Sequence, residues 1–147
     1  MWDPLWNGVK TMKICYEVQK DDYDSAGRVS SQIKKTLKQM GFGPQMIKRV
    51  AVSSYESEIN LIIHSLGGTL CLEVDDEGII TLACDDVGPG IPNLDLAMQP
   101  GYSTASKKAR EFGFGAGMGL VNMKRMSSAF DIVSSGEGTH IRMVFHD

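Results

Sequence analysis

Polar side chains recur at four-residue steps in the segment around residue 60. Glu56, Asn60 and His64 follow at i, i+4 spacing, so on an α-helix they form one polar stripe. A carboxylate and a carboxamide one turn apart suit a site in which the amide oxygen holds a cation and the acid takes up a proton. A solvated helix edge with one Glu–Asn pair is the alternative. Glu58 is expected to face elsewhere, because it is roughly opposite Glu56 on the helix.

The second segment whose residues could carry chemistry is the acidic, glycine-containing run DDVGPGIP, which follows a predicted strand. Gly88 and Gly90 let the backbone turn sharply and approach a flat ligand closely. The preceding acids, Asp85 and Asp86, lie at the strand end, where a carboxylate is able to accept hydrogen bonds from an exocyclic amine. A glycine–proline turn with a solvated pair of aspartates is the alternative.

A third segment, GFGAGMGL, is glycine-rich and opens a predicted helix. Free N–H groups at a helix start make an anion site suited to phosphates, and glycines remove side-chain obstruction. The spacing matches neither the dinucleotide GxGxxG motif nor the P-loop, and a flexible hinge is the alternative. Basic residues precede this run and either neutralise phosphate charge or are solvated: Lys107, Lys108 and Arg110. The fourth segment, Gly136 to Thr139, fits a hairpin turn by itself.

The elements that must position these segments follow from periodicity. Residues alternate from Met12 to Val18, which predicts a half-buried strand. Asp21, Asp22 and Asp24 offer N-cap chemistry for a first helix. Two later pairs of short strands are joined by Asp-Asp-Glu-Gly and Ser-Gly-Glu-Gly turns. The predicted fold is α+β: a two-layer α/β sandwich with a mixed, mainly antiparallel sheet, helices on one face and a more exposed opposite face.

The helix that carries Glu56 begins at a Gly43-Pro44 pair and ends before Gly67. Its apolar face is predicted as one stripe that consists of Val52, Tyr55, Ile59, Ile62 and Leu66. The polar stripe lies beside it.

Length and composition limit the class of protein. The 147 residues fit one domain at 12–147, with residues 1–11 an unassigned N-terminal extension. A net charge of -3 and a pI of about 5.6 argue against a non-specific grip on nucleic acid and leave protein partners open. No apolar run approaches the roughly 20 residues that span a bilayer. Cys15, Cys71 and Cys84 show no zinc-site spacing and are expected to be reduced thiols in strands. A cytoplasmic location is expected.

Taken jointly and in this order, the four segments closely resemble the GHKL ATPase superfamily with its Bergerat ATP-binding fold. Within it, the chain is most similar to small serine kinases that act as bacterial anti-sigma factors and stress-complex switches. The resemblance covers roughly residues 12–146. The matching motifs are Glu56-x-x-x-Asn60 (N box), Asp86-x-Gly88-x-Gly90 and Gly113 to Gly119 (two glycine boxes), and Gly138-Thr139.

The resemblance implies the ligands and the role of each residue. ATP and Mg2+ would bind, with Asn60 coordinating the metal, Asp86 bonding the adenine amine and Thr139 supporting that contact. Glu56 would be the general base toward a partner hydroxyl, and residues 100–119 would be a lid over the nucleotide. The remaining implied ATP contacts are Gly88, Gly90, Ile91, Gly113, Gly115, Gly117, Met118 and Gly119.

The implied function is a Mg-ATP-dependent serine/threonine protein kinase that phosphorylates or sequesters a regulatory protein. That partner would be an antagonist, a scaffold or a sigma-factor-like protein, and the kinase itself is a candidate homodimer. Direct nucleic-acid and membrane partners are not expected. Two alternatives stay open: an ATP-gated binding module without significant kinase activity, and the catalytic ATP-binding component of a histidine kinase. No phosphoacceptor-histidine helix precedes the domain, which speaks against a complete histidine kinase.

Overall fold

The computed structural model of the protein describes residues 11–88, 90, 91, 94–100 and 118–147. Within these residues the strands are β1 (Thr11–Val18), β2 (Gly68–Asp75), β3 (Ile80–Asp86), β4 (Ala129–Ser135) and β5 (Gly138–Phe145). The helices are α1 (Arg28–Gln39), α2 (Pro44–His64), the short α3 (Leu94–Ala97) and α4 (Gly119–Met126). One 3-10 turn, Tyr23–Ser25, lies between β1 and α1.

The strands form one sheet in the order β1-β2-β3-β5-β4, and every described pairing is antiparallel. The predicted Asp-Asp-Glu-Gly turn joins β2 to β3. Its first residue, Asp75, accepts the backbone N–H groups of Glu77 and Ile79 on Oδ1, both at 2.9 Å. Gly78 adopts a φ of 82° there, a value that favours glycine.

The core lies between the sheet and the helices. Leu70, Leu72 and Val74 alternate along β2 and are at most 1% exposed, because period-two alternation directs them to one face. Ile33 and Leu37 of α1 are fully buried in the same cluster. The predicted α+β sandwich is confirmed.

Helix α2 is the central element of the helical layer, because α1, α4 and the sheet all pack against it. The predicted apolar stripe is wrong in part: Ile59 and Ile62 are buried, but Tyr55 is 37% and Leu66 57% exposed. Serines occupy much of the buried face instead. Ser57 donates its hydroxyl to the Ser53 carbonyl at 2.7 Å, which satisfies a polar group that sequence hydropathy assigns to the surface.

The start of α1 is fixed by α2 and not by the aspartates that precede it. Its N-cap is Gly27, with a φ of 93° and no side-chain capping bond, so the predicted aspartate cap is wrong. The carboxylate of Glu58, only 2% exposed, accepts the N–H groups of Val29 and Ser30, each at 3.2 Å. Burial raises the pKa of Glu58, and the hydrogen bonds from these N–H groups partly offset that rise.

A single arginine joins α2 to the end of α4. Arg49 donates from Nε to the Met126 carbonyl at 2.9 Å and from its terminal nitrogens to Ser128 Oγ at 3.0 Å and the His146 carbonyl at 3.1 Å. A cation at the carbonyl end of a helix compensates the unpaired acceptors there. This contact therefore holds α4 in a fixed position along α2.

The sheet face opposite the helices is polar and exposed, as predicted. Lys13 of β1 pairs with Glu73 of β2 at 3.5 Å on this face. Cys15 and Cys71 lie directly opposite each other, with Cα atoms 4.0 Å apart, and form a disulfide. The expectation of three reduced thiols is therefore wrong, since strand register brings together cysteines that sequence spacing does not relate. Cys84 alone is a free, buried thiol among the described cysteines.

The described part of the chain contains no helix whose length and apolar character would let it cross a bilayer.

Candidate functional site

The acid and the amide of the polar stripe on α2 face the start of α4. Glu56 and Asn60 are both half-buried, one turn apart on α2. A Cβ added to Gly119, the first residue of α4, would lie 3.3 Å from Asn60 Oδ1 and 3.7 Å from Glu56 Oε2. The structure therefore brings three predicted site residues together at one helix start.

A contact that the sequence did not reveal orients the acid. Asn122, one turn into α4, donates from Nδ2 to Glu56 Oε2 at 3.0 Å. None of the four sequence motifs includes Asn122. Its position three residues after Gly119 was the available signal, since i and i+3 share a helix face.

The second half of the site is built around the end of β3. Asp86 Oδ1 accepts the backbone N–H of Thr139 at 2.6 Å, so the first glycine box is tied to the last hairpin. Burial raises the pKa of Asp86, while the Thr139 hydrogen bond and then the charge of His140 lower it. Thr139 is itself only 4% exposed. The Asp86 carboxylate is thus partly desolvated, and its Oδ1 is held by the hydrogen bond from Thr139.

Two glycines permit close packing where the end of β3 and the loop after it meet the β4–β5 hairpin. At Gly138 a Cβ would overlap the Asp86 carbonyl oxygen, and the φ of 153° already disfavours an L side chain. At Gly90 (φ 76°) a Cβ would overlap the Ser135 carbonyl oxygen. Each glycine therefore lets two backbone segments of the protein approach to van der Waals contact.

Serine and threonine hydroxyls connect the same segments. Ser134 Oγ accepts the N–H of Ile91 at 2.6 Å and lies 2.9 Å from Thr139 Oγ1. Ser134 is a second residue that sequence reasoning missed. The hydroxyl chain fixes Ile91 and Thr139 relative to each other, so the loop and the hairpin form one unit.

The two halves of the site are connected through α2. A Cβ on Gly88 (φ 154°) would lie 3.4 Å from the backbone nitrogen of Leu66, just past the end of the helix, and that nitrogen donates to the Val87 carbonyl at 2.8 Å. Asn60 is five residues before Ser65, which corresponds to about 7.5 Å along a helix. Asn60 and the Gly88 turn therefore lie along the same stretch of α2.

The remaining predicted site residues divide into two groups. Met118 is the half-buried N-cap residue of α4. Gly113, Gly115 and Gly117 lie outside the described residues, as do the basic residues at 107, 108 and 110 and most of the predicted lid.

His64 completes the stripe of Glu56 and Asn60 at the end of α2. Burial lowers the pKa of its imidazole below the ordinary value of 6.5, which favours the uncharged form.

The described residues do not form a metal site in which protein side chains supply most of the ligands. No group of three or more His, Cys, Asp or Glu side chains capable of holding an ion occurs among the described residues. The oxygen ligand available beside Glu56 is Oδ1 of Asn60. That donor set fits a cation that is held mainly by ligand phosphates and water.

The fold and site define a class: α+β sandwich proteins in which the helix next to the sheet presents an acid and an amide to the start of another helix. No protein-family model matches the chain. Over 115 residues, 76% of the chain, the sequence is 30% identical to the serine/threonine-protein kinase RsbT of Bacillus subtilis (strain 168), and the match covers 80% of that protein. The chain belongs to the family of RsbT.

Proposed function

We propose that the protein is a Mg-ATP-dependent serine/threonine protein kinase of the GHKL superfamily and of its anti-sigma and switch branch. The observation that carries the proposal is the meeting of Glu56, Asn60 and Gly119, three residues of two separate motifs, at the start of α4. Membership in the family of a serine/threonine-protein kinase supports the reaction class.

In this proposal the half of the site at Asp86 binds the adenine, and the half at the start of α4 binds the phosphates. Asp86 accepts a hydrogen bond from the adenine amine, and Thr139 supports that contact, because Oδ1 of Asp86 already binds the Thr139 N–H and leaves Oδ2 for the ligand. Gly88, Gly90 and Ile91, in the loop that follows Asp86, are assigned to the base by the motif. The phosphates extend along α2 toward the first N–H groups of α4, at Met118 and Gly119.

Magnesium supplies charge neutralisation of the phosphates when it is bound. The residue that would hold it is Asn60, whose Oδ1 faces Gly119. A single neutral protein oxygen is a suitable ligand, because Mg2+ usually keeps water and phosphate oxygens in its remaining positions.

Glu56 has the role of general base. The acceptor hydroxyl oxygen forms a bond to the γ-phosphorus of ATP as the bond between that phosphorus and the β–γ bridging oxygen breaks. The hydroxyl proton passes to the Glu56 carboxylate, and ADP leaves. Asn122 keeps Oε2 of Glu56 in place through the 3.0 Å hydrogen bond, so the carboxylate is oriented before the acceptor arrives.

The partner is a regulatory protein with a serine or threonine acceptor, such as an antagonist, a scaffold or a sigma-factor-like protein. A cytoplasmic location and a homodimeric kinase belong to the same proposal. Gly113, Gly115 and Gly117 are assigned to the phosphates by the motif alone.

The test compares two neighbouring aspartates. Asp86→Asn is expected to weaken ATP binding at least tenfold in calorimetry, because an amide presents donors to the adenine amine. Asp85→Asn is the matched control: Asp85 pairs with His140 at 2.7 Å on the face that carries Lys13, and its loss is expected to leave ATP affinity unchanged. Equal affinities in all three proteins would refute the adenine site.

Phosphotransfer is tested separately with γ-labelled Mg-ATP and the protein fraction of the source cell. Wild type is expected to give an acid-stable phosphoester, and Glu56→Gln is expected to bind ATP normally but transfer none. Nucleotide binding without transfer by the wild type would favour the ATP-gated binding module. An acid-labile product would favour the histidine-kinase component.

A further inference from the structure

A groove borders Glu56 on the side toward the beginning of α2. It has a volume of about 460 Å³, and the residues that line it include Ser31 and Lys34 of α1, Val52, Tyr55 and Glu56 of α2, and Asn122 of α4. Asn60 and Gly119 are not part of it. The Glu56 carboxylate therefore lies between the proposed phosphate site and this groove, which we name the Glu56 groove.

Helices α1 and α2 pack side by side and are joined by the short connection 40–43, so they run in opposite directions along the groove. The first turn of α1 lies at Glu58, and a Cβ on Gly27 would be 3.7 Å from the Tyr55 ring. Lys34 is one turn further along α1 than Ser30, about 6 Å along the axis. Glu56 is about 3 Å along the axis from Glu58 in the same direction, so Lys34 and Glu56 line the groove from its two helices.

Helix α1 is basic in an acidic protein, and Lys34 is its one basic residue among those that line the groove. The helix contains Arg28, Lys34, Lys35 and Lys38 and no acidic residue, whereas the whole chain has a net charge of -3. Lys34 is exposed, and within the described part of the chain no carboxylate lies within ion-pair distance of it. The Lys34 ammonium group is thus available to an acidic group that enters the groove.

We propose that the Glu56 groove binds the acceptor segment of the partner protein, with the serine or threonine hydroxyl at Glu56 and an acidic side chain two residues away at Lys34. An extended chain directs side chains two residues apart, about 6.6 Å from each other, to the same face, and Lys34 and Glu56 line the groove from its two helices. The inference rests on the proposed phosphotransfer and assigns its substrate specificity.

The groove also fits the required direction of approach. The acceptor oxygen must reach the γ-phosphorus while its proton reaches Glu56, so acceptor and nucleotide have to meet the carboxylate from different sides. The side with Asn60 and Gly119 is assigned to the phosphates. Among the described residues, the side with Val52 and Tyr55 is the open one, and it is assigned to the polypeptide.

The test uses synthetic serine peptides that differ only at the second residue on each side of the serine, with glutamate, glutamine or lysine there. Binding is measured by fluorescence anisotropy without nucleotide, and KM and kcat are measured with Mg-ATP. Wild type is expected to bind the glutamate peptide at least threefold more tightly than the lysine peptide, as an exposed ion pair allows. Lys34→Glu is expected to reverse this order. Lys35→Glu, an exposed neighbour that does not line the groove, is expected to retain it.

The outcomes separate the two proposals. A reversed preference without phosphotransfer by the wild type would retain the docking groove and refute the kinase. Phosphotransfer with a KM for the glutamate peptide that Lys34→Glu leaves unchanged would retain the kinase and refute the groove. Absence of any peptide binding also refutes it. A change in self-association in Lys34→Glu, measured by sedimentation, would make the groove a contact between copies of the chain and overturn the inference.

Discussion

Asn122 of α4 donates a hydrogen bond from Nδ2 to Oε2 of Glu56 at 3.0 Å. The two residues are 66 positions apart in the chain, and Arg49 holds the far end of the same helix at the Met126 carbonyl. The orientation of the proposed base therefore depends on how α4 packs on α2, and it changes if α4 shifts.

Asn122→Ala is expected to reduce kcat of the proposed phosphotransfer about tenfold or more. A hydrogen bond to a charged group contributes about 1.5–3 kcal/mol, and its loss lets the carboxylate rotate away from the acceptor. ATP affinity should stay within about twofold, since Asn122 is not a proposed nucleotide contact. Arg125→Ala, an exposed change on the same helix, is the control. Equal kcat values in the two variants would contradict the role of Asn122.

Gly119→Ala is expected to weaken Mg-ATP binding. The added methyl would lie 3.3 Å from Asn60 Oδ1 and 3.7 Å from Glu56 Oε2, so the amide must move from the position assigned to the cation. Gly136→Ala is a matched control, because a Cβ there meets no atom within 4 Å. Titration calorimetry with Mg-ATP compares the two variants, and unchanged affinity in Gly119→Ala would show that the first residue of α4 does not border the ligand.

Glu58→Ala is expected to lower the free energy of unfolding by about 1–3 kcal/mol, because the buried N–H group of Val29 and the partly buried N–H group of Ser30 lose their acceptor. Urea denaturation measures the loss, with Glu77→Ala in the exposed β2–β3 turn as the control. A loss no larger than that of the control would indicate that α1 finds another cap.

Glu58 also predicts a pH dependence of stability. Burial raises its pKa in the folded protein above the ordinary 4.5, so the folded protein binds this proton more tightly than the unfolded chain does. The contribution of Glu58 to stability therefore falls as pH rises from 4.5 through the raised pKa. Glu58→Gln removes this equilibrium. Denaturation at several pH values should show a smaller loss of stability toward neutrality in the variant than in wild type, and parallel curves would exclude the effect.

The Cys15–Cys71 disulfide is expected to stabilise the sheet. It closes a sequence separation of 56 residues, and the paired Cys15→Ser and Cys71→Ser change should lower the free energy of unfolding by about 2–4 kcal/mol. A reductant should destabilise wild type and leave the double variant unaffected. Thiol titration of the unreduced, denatured protein should detect Cys84 alone. Three reactive thiols would mean that the bridge is absent, as a reducing cytoplasm would favour.

The conformational preferences of neighbouring residues were sufficient to predict most of the helices, strands and turns. The β2–β3 turn is fixed by Asp75 and Gly78, whose conformational preferences act within four residues. Pro44 at the start of α2 similarly marks a helix start wherever the chain later packs. Glu56 and Asn60 were recognised as one stripe because their spacing defines a helix face without any other element.

Contacts between distant segments were not predictable in the same way. Tyr55 and Leu66 were predicted to be buried, but the width and direction of the buried face of α2 depend on three neighbours. The Glu58 cap of α1 and the disulfide partner of Cys15 each join residues that no local pattern relates. Such contacts depend on strand register and helix packing, which the whole core decides together.

The sequence by itself determined the fold class, the positions of most helices and strands, and four motifs with the residue types that chemistry on a nucleotide requires. Only the tertiary structure decided that Gly119 lies against Asn60, that Asn122 orients Glu56 and that Thr139 holds Asp86. The reason is physical: secondary-structure preferences act over a few residues, whereas the relative placement of segments results from burying one shared apolar core.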